Sequence, residues 1–311
     1  MGFEEFGPAP LPAGRFLPRQ RGIRMSPAES VSIIMPARNE GVNLRRFLPE
    51  LRAMFPAAEI IVVNDGSTDD TEVVALSSGA RVVTHRYSKG NGAAIKSGAR
   101  SASNDVLVFM DADGQHKPAD VQRLLDSYRE GYDMVVGARY AASQASVGRL
   151  VANSLYNRLA SWISGQQILD LTSGLRVVNR KKFKQFLYLL PNGFSYPTTI
   201  TMAFFRAGFS VNYIDIHAGV REGKSHINLV KDGVRFFLII FKIGTLYSPL
   251  KIFLPISAGF FSVGLLYYLY TYFTFHSFTN MSAVLFMTAI IVFLIGLVSE
   301  QVTTLIYKDS E

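Results

Sequence analysis

Two long apolar runs near the C-terminus constrain this 311-residue chain more than any other feature of its sequence. Ile252 to Phe275 has no charged residue, and Ser282 to Ile306 is broken only by Glu300 and Gln301 near its end. As a helix, each run is long enough to cross about 30 Å of hydrocarbon. The sequence therefore predicts two membrane-spanning helices behind a head of ordinary globular composition.

The charges around these runs predict their orientation. The link His276–Met281 contains no lysine or arginine, whereas Lys242, Lys251 and Lys308 flank the opposite ends. Loops on the cytoplasmic side carry an excess of Lys and Arg. We therefore expect a hairpin in the cell (cytoplasmic) membrane, with the head and both chain ends in the cytoplasm. Glu300 is then expected at the cytoplasmic interface, and a functional acid inside the membrane is the alternative.

The segment before the hairpin has a basic stripe. Lys231, Arg235 and Lys242 fall within about 40° of one another on a helical wheel of 3.6 residues per turn, and apolar residues occupy much of the remainder. This pattern predicts an amphipathic helix over residues 229–248 that lies in the membrane interface. A buried helix of the head is the alternative.

Short apolar strands alternate with helices in the head. The predicted strands are Val31–Met35, Ile60–Val63, Arg81–Thr84, Val106–Met110 and Met134–Val136. The predicted helices between them are Gly41–Phe55, Asn91–Ser101 and Val121–Tyr128, with a further helix after Asn64–Thr71. Pro36 is expected to end the first strand, because proline cannot donate to a sheet ladder. The alternation predicts an α/β domain with a mostly parallel sheet covered on both faces.

Polar clusters follow these strands, and the clearest is Asp111-Ala112-Asp113 with Gln115. Ligands bind at the carboxyl ends of strands in such sheets. Two carboxylates so close together suit a hard divalent cation that also grips a diphosphate. A solvated turn explains an isolated pair equally well, so the surrounding motifs decide between the two.

Seven motifs supply that context. In chain order they are Pro36-Ala-Arg-Asn-Glu40, Asn64-Asp-Gly-Ser67, Lys89-Gly-Asn-Gly-Ala93, Asp111-Ala-Asp113, Gly137-Ala-Arg-Tyr140, Asp170-Leu-Thr-Ser-Gly174 and Arg221-Glu-Gly-Lys-Ser225. Together they resemble the inverting family 2 glycosyltransferases of GT-A (Rossmann-like) fold, and more narrowly the dolichyl-phosphate mannose synthases and bacterial polyprenyl-phosphate glycosyltransferases. The resemblance covers about Val31 to Ile227, and some of these enzymes also carry a C-terminal hairpin.

The resemblance implies a nucleotide-sugar site. Its residues would be Pro36, Arg38, Glu40, Asp65, Lys89, Asp111, Ala112, Asp113, Arg139, Arg221 and Ser225. The first three would border the nucleoside, and Asp65 would hold the base or ribose unless it only caps the next helix. Lys89, Gly90 and Gly92 would allow close backbone approach beside the nucleotide, with a plain turn as the alternative.

The resemblance also implies the catalytic groups. These would be Asp111, Asp113, Arg139, Arg221 and Asp170. Asp111, Asp113 and Gln115 would hold Mg²⁺ or Mn²⁺ against the diphosphate. The two arginines would bind phosphate, and Asp170 would orient the acceptor.

The remaining implied contacts are less specific. Arg149 would bind the acceptor phosphate, and a structural salt bridge is its alternative. His226 stands where relatives often have a lysine. That departure leaves any charge at this position in doubt, although Lys224 is near.

The expected reaction is inverting transfer of a sugar from a nucleotide-sugar, with UDP preferred over GDP, to a polyprenyl (undecaprenyl or dolichyl) phosphate. Because a phosphate monoester has a second pKa of about 6, the lipid phosphate is mostly a dianion at neutral pH. It therefore needs no strong general base. Both substrates and the lipid bilayer are the expected partners. The oligomeric state, a homo-oligomer included, stays open.

Three alternatives remain at this level. A membrane glycosyltransferase that elongates a polysaccharide or modifies another lipid shares this kind of head, but such synthases usually carry a QxxRW-type element and more spans, which this sequence lacks. An inactive membrane scaffold is expected to have lost one of Asp111, Asp113, Arg139 and Arg221, and all four are present. The net charge of +8 also suits nucleic acid, but no basic-aromatic module supports that partner.

The domain prediction has four parts. They are a flexible basic tail (1–27), a GT-A domain (28–228), the amphipathic interfacial helix (229–248) and the hairpin with a short cytoplasmic tail (249–311). The tail shows no apolar run typical of a signal peptide. The chain has no cysteine, which excludes disulfides and thiolate metal sites.

Overall fold

The computed structural model describes residues 31–139, 147–193, 195–216, 238, 241–242 and 244–307, with residues 147–153 described by their backbone alone. Its strands are β1 (Val31–Ala37), β2 (Glu59–Asn64), β3 (Arg81–Thr84), β4 (Val106–Phe109), β5 (Met134–Arg139), β6 (Arg176–Asn179) and β7 (Val211–Ile216). Its helices are α1 (Gly41–Met54), α2 (Thr71–Ser77), α3 (Asn91–Ser101), α4 (Pro118–Tyr128), α5 (Val147–Ser164), α6 (Arg180–Gln185), α7 (Tyr196–Arg206), α8 (Pro249–Phe275) and α9 (Asn280–Tyr307).

The seven strands form one sheet in the order β3-β2-β1-β4-β6-β5-β7. Every pairing is parallel except those of β6, which runs antiparallel to both β4 and β5. The predicted mostly parallel sheet is therefore confirmed. The sequence analysis found β1 to β5 within a few residues, but it did not find β6 or β7.

The prediction that β1 ends before Pro36 is wrong. The strand continues to Ala37, and Pro36 pairs with Val63 of β2. On its other side β1 pairs with β4 only as far as Ile34, whose carbonyl accepts from the Met110 amide at 3.2 Å. The missing N–H of the proline faces the side where β4 has already ended, so no ladder hydrogen bond is lost.

Alternate residues of the central strands enter two separate apolar cores. Ile33 and Met35 face the core that contains Leu44 of α1, whereas Ile34 faces the core that contains Ile95 of α3. Successive side chains of a strand point to opposite faces, which explains the division. Both faces of the sheet are thus buried, and polar groups are left at its edges.

The reversed strand β6 decides what gathers at the carboxyl edge of the sheet. Strands β1, β2, β4 and β5 all end at this edge, and β6 begins there because it runs the other way. The segment 170–175 before β6 therefore meets the ends of β4 and β5. This convergence positions the candidate site described below.

Helices α8 and α9 form an apolar hairpin. They contain 27 and 28 residues, and both are long and apolar enough to span a membrane. Most of their large side chains, such as Leu266 and Ile290, point outward and are exposed. The predicted two-helix hairpin is confirmed.

Small residues at intervals of seven line the contact between the two helices. The buried small residues of this repeat are Ser257, Gly264 and Thr271 on α8, and Ser282, Ala289, Gly296 and Thr303 on α9. The Ser257 hydroxyl donates to the Ala289 carbonyl at 2.7 Å. A seven-residue repeat of small side chains lets two membrane helices wrap closely around each other.

Much of the predicted interfacial helix lies outside the described residues. Leu238, Phe241, Lys242 and residues 244–247 are described, and they are helical. Leu238 and Phe241 are exposed, whereas Tyr247 is buried. The predicted tail, residues 1–27, also lies outside the described residues, so the four domain boundaries stay predictions.

We predict that Gly296→Ala loosens the hairpin. An added Cβ would lie 2.7 Å from the Phe253 Cβ, which cannot move without shifting its helix. We expect the free energy of unfolding to fall by about 1–3 kcal/mol, as measured by thermal unfolding of the full chain in detergent. The matched control is Gly259→Ala, because an added Cβ there meets no atom within 4 Å. Equal stability of the two variants would contradict the packing described.

Candidate active site

A polar cavity of about 520 Å³ opens at the carboxyl edge of the sheet. Its lining includes nine predicted site residues, namely Pro36, Arg38, Glu40, Asp65, Asp111, Ala112, Asp113, Gln115 and Arg139. Lys89 and Asp170 are described but do not belong to this lining. Each contacts a residue that does, as set out below. The structure thus brings together predicted residues of six of the seven motifs, which are far apart in sequence.

The acidic loop follows β4 directly. The Asp113 Oδ1 accepts from the Gln115 amide at 3.1 Å, and Gly114 between them has φ +73°, which favours glycine. Ala112 is buried, so the loop turns both acidic residues toward the cavity lining. The tight turn explains why the two carboxylates are held so close together.

Asp111 keeps its negative charge in partly buried surroundings. Its side chain is 39% exposed, and the Nε2 of buried His116 lies 3.7 Å from Oδ2. Burial alone would raise the pKa of this carboxyl. Interaction with His116 and the positive charges of Arg139 and Arg176 outweigh burial and lower the pKa. Asp111 is therefore an anion that faces the cavity.

Gly174 leaves the space that the Asp111 carboxylate fills. A Cβ at this position would lie 2.6 Å from Oδ2. The segment before β6 is fixed by the fully buried Arg176, which donates to the Ser173 carbonyl at 2.6 Å, and by Tyr196, whose hydroxyl donates to the Gly174 carbonyl at 3.4 Å. Any side chain at position 174 would therefore displace the acid from its place.

The donor set around Asp111 fits a divalent cation shared with a ligand. Carboxylate and amide oxygens are what Mg²⁺ and Mn²⁺ prefer, and Asp111, Asp113 and Gln115 offer them on one loop. Among the described residues, no cluster of three or more His, Cys, Asp or Glu side chains is arranged to hold a metal ion. Mg²⁺ usually binds one or two carboxylates and takes its other ligands from water and phosphate oxygens, and the donors of this loop fit that pattern.

Arg139, at the end of β5, is held by Asp170. Its Nε and Nη2 donate to the two carboxylate oxygens at 2.8 and 3.1 Å, and Nη2 also donates to the Thr172 hydroxyl at 2.6 Å. Charge-assisted bidentate pairs of this kind fix geometry strongly. The guanidinium is thus oriented before any ligand arrives.

Asp170 itself is buried and heavily hydrogen-bonded. Besides Arg139, its carboxylate accepts from the amides of Thr172 and Ser173 at 3.0 and 3.1 Å. Burial would raise its pKa, but the hydrogen bonds and charge of Arg139 lower it overall. These contacts suit a group that positions Arg139, whereas the sequence analysis expected it to orient the acceptor.

Asp65, at the end of β2, organises the loop that follows β3. Its oxygens accept from the amides of Lys89 and Gly90 at 2.8 and 2.9 Å and from the Ser88 hydroxyl at 2.8 Å. Its Oδ1 also lies 2.7 Å from the Nδ1 of buried His85. Asp65 does not cap the following helix, so the alternative raised from sequence is wrong.

The two glycines of the Lys89 motif meet the protein's own backbone. A Cβ at Gly90 would lie 2.6 Å from the Asn192 carbonyl oxygen, and one at Gly92 would lie 2.0 Å from that of Pro191. The amides of Gly92 and Ala93 donate to the carbonyls of residues 193 and 192 at 3.3 and 2.9 Å. The glycines were expected to let the backbone come close to the nucleotide, and in the structure they let the segment 191–193 come close to the backbone.

The loop after β1 is tied to the loop after β2. Asn39 adopts φ +57°, its amide donates to the Ser67 hydroxyl at 3.0 Å, and its side-chain oxygen accepts from the Thr68 amide at 2.8 Å. The Glu40 carboxylate accepts from the Asn43 side chain at 2.6 Å. These contacts fix the cavity wall that includes Arg38 and Glu40.

Some predicted residues cannot be located in the site. Arg221 and Ser225 lie outside the described residues, and so does the side chain of Arg149 in α5. Their roles stay predictions.

The sequence analysis missed the wall formed by the start of α7. Ser195, Tyr196 and Pro197 line the cavity, and Ser195 has φ +86°. A proline in the first turn of a helix was the available signal, but nothing in the sequence linked that turn to the distant acidic loop.

A family profile described as glycosyl transferase family 2 matches residues 32–187, about half of the chain. The chain belongs to this family. This family 2 glycosyltransferase also matches a second profile, the GtrB C-terminal hairpin, over residues 248–305. The two matches cover the head and the hairpin separately.

Two relatives support the same assignment. Glycosyltransferase AglJ of Haloferax volcanii is 30% identical over 232 residues, which cover 73% of this glycosyltransferase and 76% of the relative. Polyprenol monophosphomannose synthase of Mycolicibacterium smegmatis is 33% identical over 211 residues, which cover 63% and 80% of the two chains.

A solved structure confirms the fold. Glucosyl-3-phosphoglycerate synthase from Mycobacterium tuberculosis, in complex with Mn²⁺ and UDP-glucose, matches with a TM-score of 0.53 at 24% identity. The match covers 68% of this glycosyltransferase and 77% of that chain. The expected GT-A fold is confirmed.

We predict that Gly174→Ala slows sugar transfer while the protein stays folded. The new methyl group would force the Asp111 carboxylate away from its position, and small misplacements in an active site can cost about 100-fold in rate. The measurement is kcat/KM, together with the unfolding temperature. Gly193→Ala is the matched control, since a Cβ there meets nothing within 4 Å. Wild-type turnover by Gly174→Ala would contradict the contact.

We predict a pH-dependent contribution of Asp65 to stability. Burial would raise the pKa of this carboxyl, but hydrogen bonds, first of all from His85, lower it from 3.8 to about 2. A depressed folded-state pKa stabilises the protein above the unfolded value and loses that effect as pH falls through the folded value. Asp65→Asn should therefore lower the free energy of unfolding by about 2 kcal/mol at pH 6.

The deficit of Asp65→Asn should shrink between about pH 4 and pH 2, which chemical unfolding at a series of pH values would measure. The control is Asp126→Asn, since the Asp126 side chain is 59% exposed. A deficit that does not vary with pH would show that the charge of Asp65 is not what stabilises the loop.

Proposed function

We propose that this glycosyltransferase moves a sugar from a nucleotide-sugar to the phosphate of a polyprenyl lipid at the cytoplasmic face of the cell membrane, with inversion at the anomeric carbon. The observation that carries the proposal is the presence, in one chain, of a cavity lined by Asp111, Asp113 and Arg139 and of an apolar hairpin long enough to span a membrane. A relative named polyprenol monophosphomannose synthase supports this acceptor class.

The donor would lie along the β1, β2 and β4 ends of the cavity. Pro36, Arg38 and Glu40 would border the nucleoside, and Asp65 would act there directly or by holding the loop of Lys89. We favour UDP-sugars over GDP-sugars. The likeness to a synthase solved with UDP-glucose supports this preference.

Asp111, Asp113 and Gln115 would hold Mg²⁺ or Mn²⁺ against the donor diphosphate. When bound, such an ion neutralises the negative charge that the leaving nucleotide gains. The solved neighbour that contains Mn²⁺ supports a divalent ion. The protein's own part is to hold the two carboxylates in place, through the turn at Gly114 and the space left by Gly174.

Arg139 would stabilise the phosphates in the transition state. It lines the cavity, and its pairing with Asp170 orients it in advance, so little reorganisation is needed when charge develops. Arg221 and Ser225 would add contacts to the donor, and Arg149 would bind the acceptor phosphate.

The lipid phosphate would attack without a protein base. Asp170 is unsuited to take a proton, because its pKa is lowered and its oxygens are occupied by Arg139 and by backbone amides. We therefore assign Asp170 the role of positioning Arg139. The hairpin would keep the enzyme at the membrane, where its acceptor resides.

The experiment that tests the function uses the purified full chain in liposomes. Undecaprenyl phosphate and a panel of UDP- and GDP-sugars are incubated with it, with Mg²⁺ or Mn²⁺, and chromatography detects the glycolipid. We expect one donor to give a product that depends on the lipid phosphate. A sugar polymer, or no product with any donor, would overturn the proposal.

We predict that Asp113→Ala abolishes this product while the protein stays folded, because a cation ligand in the cavity is lost. Removing one group that stabilises transition-state charge costs about 100- to 1000-fold in rate. EDTA should stop the wild-type reaction, and added Mn²⁺ should restore it. Asp126→Ala, on the exposed face of α4, is the matched control. Full turnover by Asp113→Ala, or indifference to EDTA, would remove the metal assignment.

A further inference from the structure

We infer that Glu300 and Arg206 form a positioning pair that sets the height and orientation of the cavity above the bilayer. The inference rests on the proposed transfer to a membrane-bound acceptor. It concerns residues far from the acidic loop, in the contact between the head and the hairpin.

The Glu300 carboxylate connects three helices. It projects from α9, and its Oε1 accepts from the Arg206 guanidinium of α7 at 3.1 Å. Its Oε2 accepts from the Leu250 amide, in the first turn of α8, at 3.3 Å. One side chain therefore joins both arms of the hairpin to the head.

The contact with α8 satisfies a helix terminus. The first amides of a helix have no partner within the helix, and Ser248 at the N-cap of α8 makes no side-chain capping bond. A carboxylate near an N-terminus is also favoured by the helix dipole. Glu300 thus stabilises the start of α8 from the neighbouring helix, and its loss would affect both contacts.

We place the pair at the membrane surface. Helix α8 has 27 residues and is about 40 Å long, whereas the hydrocarbon layer is about 30 Å thick. Leu250 is the second residue of α8, so the carboxylate that it contacts lies near the end of the span. This placement agrees with the interfacial location expected for Glu300 and explains how a charged residue fits into an apolar helix.

Helix α7 connects this pair to the cavity. Its first residues, Tyr196 and Pro197, line the cavity, and Arg206 is its last residue. The helix has 11 residues, about 16 Å, and nearly all of them are buried. A packed helix transmits a displacement of one end to the other, because protein interiors yield little.

Further contacts join α7 to the segment before α8, and the end of α9 to the head. The buried Tyr247 hydroxyl donates to the Thr199 carbonyl of α7 at 2.5 Å, and its ring lies 5.8 Å from that of Tyr307. The Tyr188 hydroxyl donates to the Ile306 carbonyl at 3.0 Å. The contact between the head and the hairpin is therefore stiff. Within it, the pair Glu300–Arg206 links α7 to both helices of the hairpin.

A fixed contact between the head and the hairpin matters because the phosphate of a lipid acceptor stays at one level of the bilayer. A polyprenyl phosphate is held in the bilayer by its chain, so its phosphate reaches the donor only if the cavity lies at the matching level. Reacting atoms must come within about 3–3.5 Å, and small misplacements are costly. A short, water-soluble isoprenyl phosphate diffuses into the cavity whatever its height.

The test compares two acceptors with one donor. The variants are Glu300→Ala, Arg206→Ala and the double variant, and the acceptors are undecaprenyl phosphate in liposomes and geranyl phosphate in solution. We expect each single variant to lower kcat/KM for undecaprenyl phosphate by about tenfold, and that for geranyl phosphate by less than about twofold. The double variant should be no worse than the singles, because residues that act as a pair are not additive.

Two controls separate positioning from folding. Arg129→Ala removes an exposed arginine whose Nη1 lies 2.7 Å from Asp126, far from the hairpin, and should leave both acceptors unaffected. The KM for the donor should stay at the wild-type value in every variant. Equal losses with both acceptors, or no loss with either, would overturn the inference. Wild-type protein that uses neither acceptor would instead overturn the proposed function.

Discussion

The site depends on the reversed direction of one strand. Because β6 runs antiparallel between β4 and β5, the segment before it returns to the edge where those strands end. Two contacts result from this, and they link distant parts of the chain. Gly174 lies against the Asp111 carboxylate, and the Asp170 carboxylate accepts two hydrogen bonds from the Arg139 guanidinium. A parallel strand in the same place would begin at the opposite edge, and both the acid and the arginine would lose their neighbours.

Two buried acids at this edge stay ionised for the same physical reason, but they have different roles. For Asp65 and Asp170, hydrogen bonds to the ionised form outweigh burial and lower the pKa. Asp65 organises the loop after β3, and Asp170 orients an arginine. Asp111 has fewer protein partners and remains partly exposed to the cavity, so it is the acid suited to meet a ligand. The different roles of the three acids follow from the number of hydrogen bonds that each carboxylate already accepts from the protein.

The sequence was sufficient to predict those elements whose residue pattern is local. Apolar strands, the acidic turn after β4 and the two long apolar helices all follow from neighbouring residues, and the structure has them within a few positions. Strand β6 has only four residues and begins with a buried arginine, so it gave no hydrophobic run. Its partners in β4 lie about seventy residues earlier, and only the folded sheet reveals that pairing. The continuation of β1 through Pro36 likewise depends on where its neighbour stops. The heptad of small residues in the hairpin was readable in principle, since Ser282, Ala289 and Gly296 recur at a fixed interval.

The segment 191–193 has a consequence for how phosphate is bound. In many nucleotide-binding folds the free amides at the start of a helix receive the pyrophosphate. Here the amides of Gly92 and Ala93, at the start of α3, are already occupied by main-chain carbonyls. These two amides are therefore not available to an incoming anion. The proposed diphosphate would then be neutralised mainly by the charged side chains of the cavity, such as Arg139, rather than by the two amides that a glycine-rich turn usually offers.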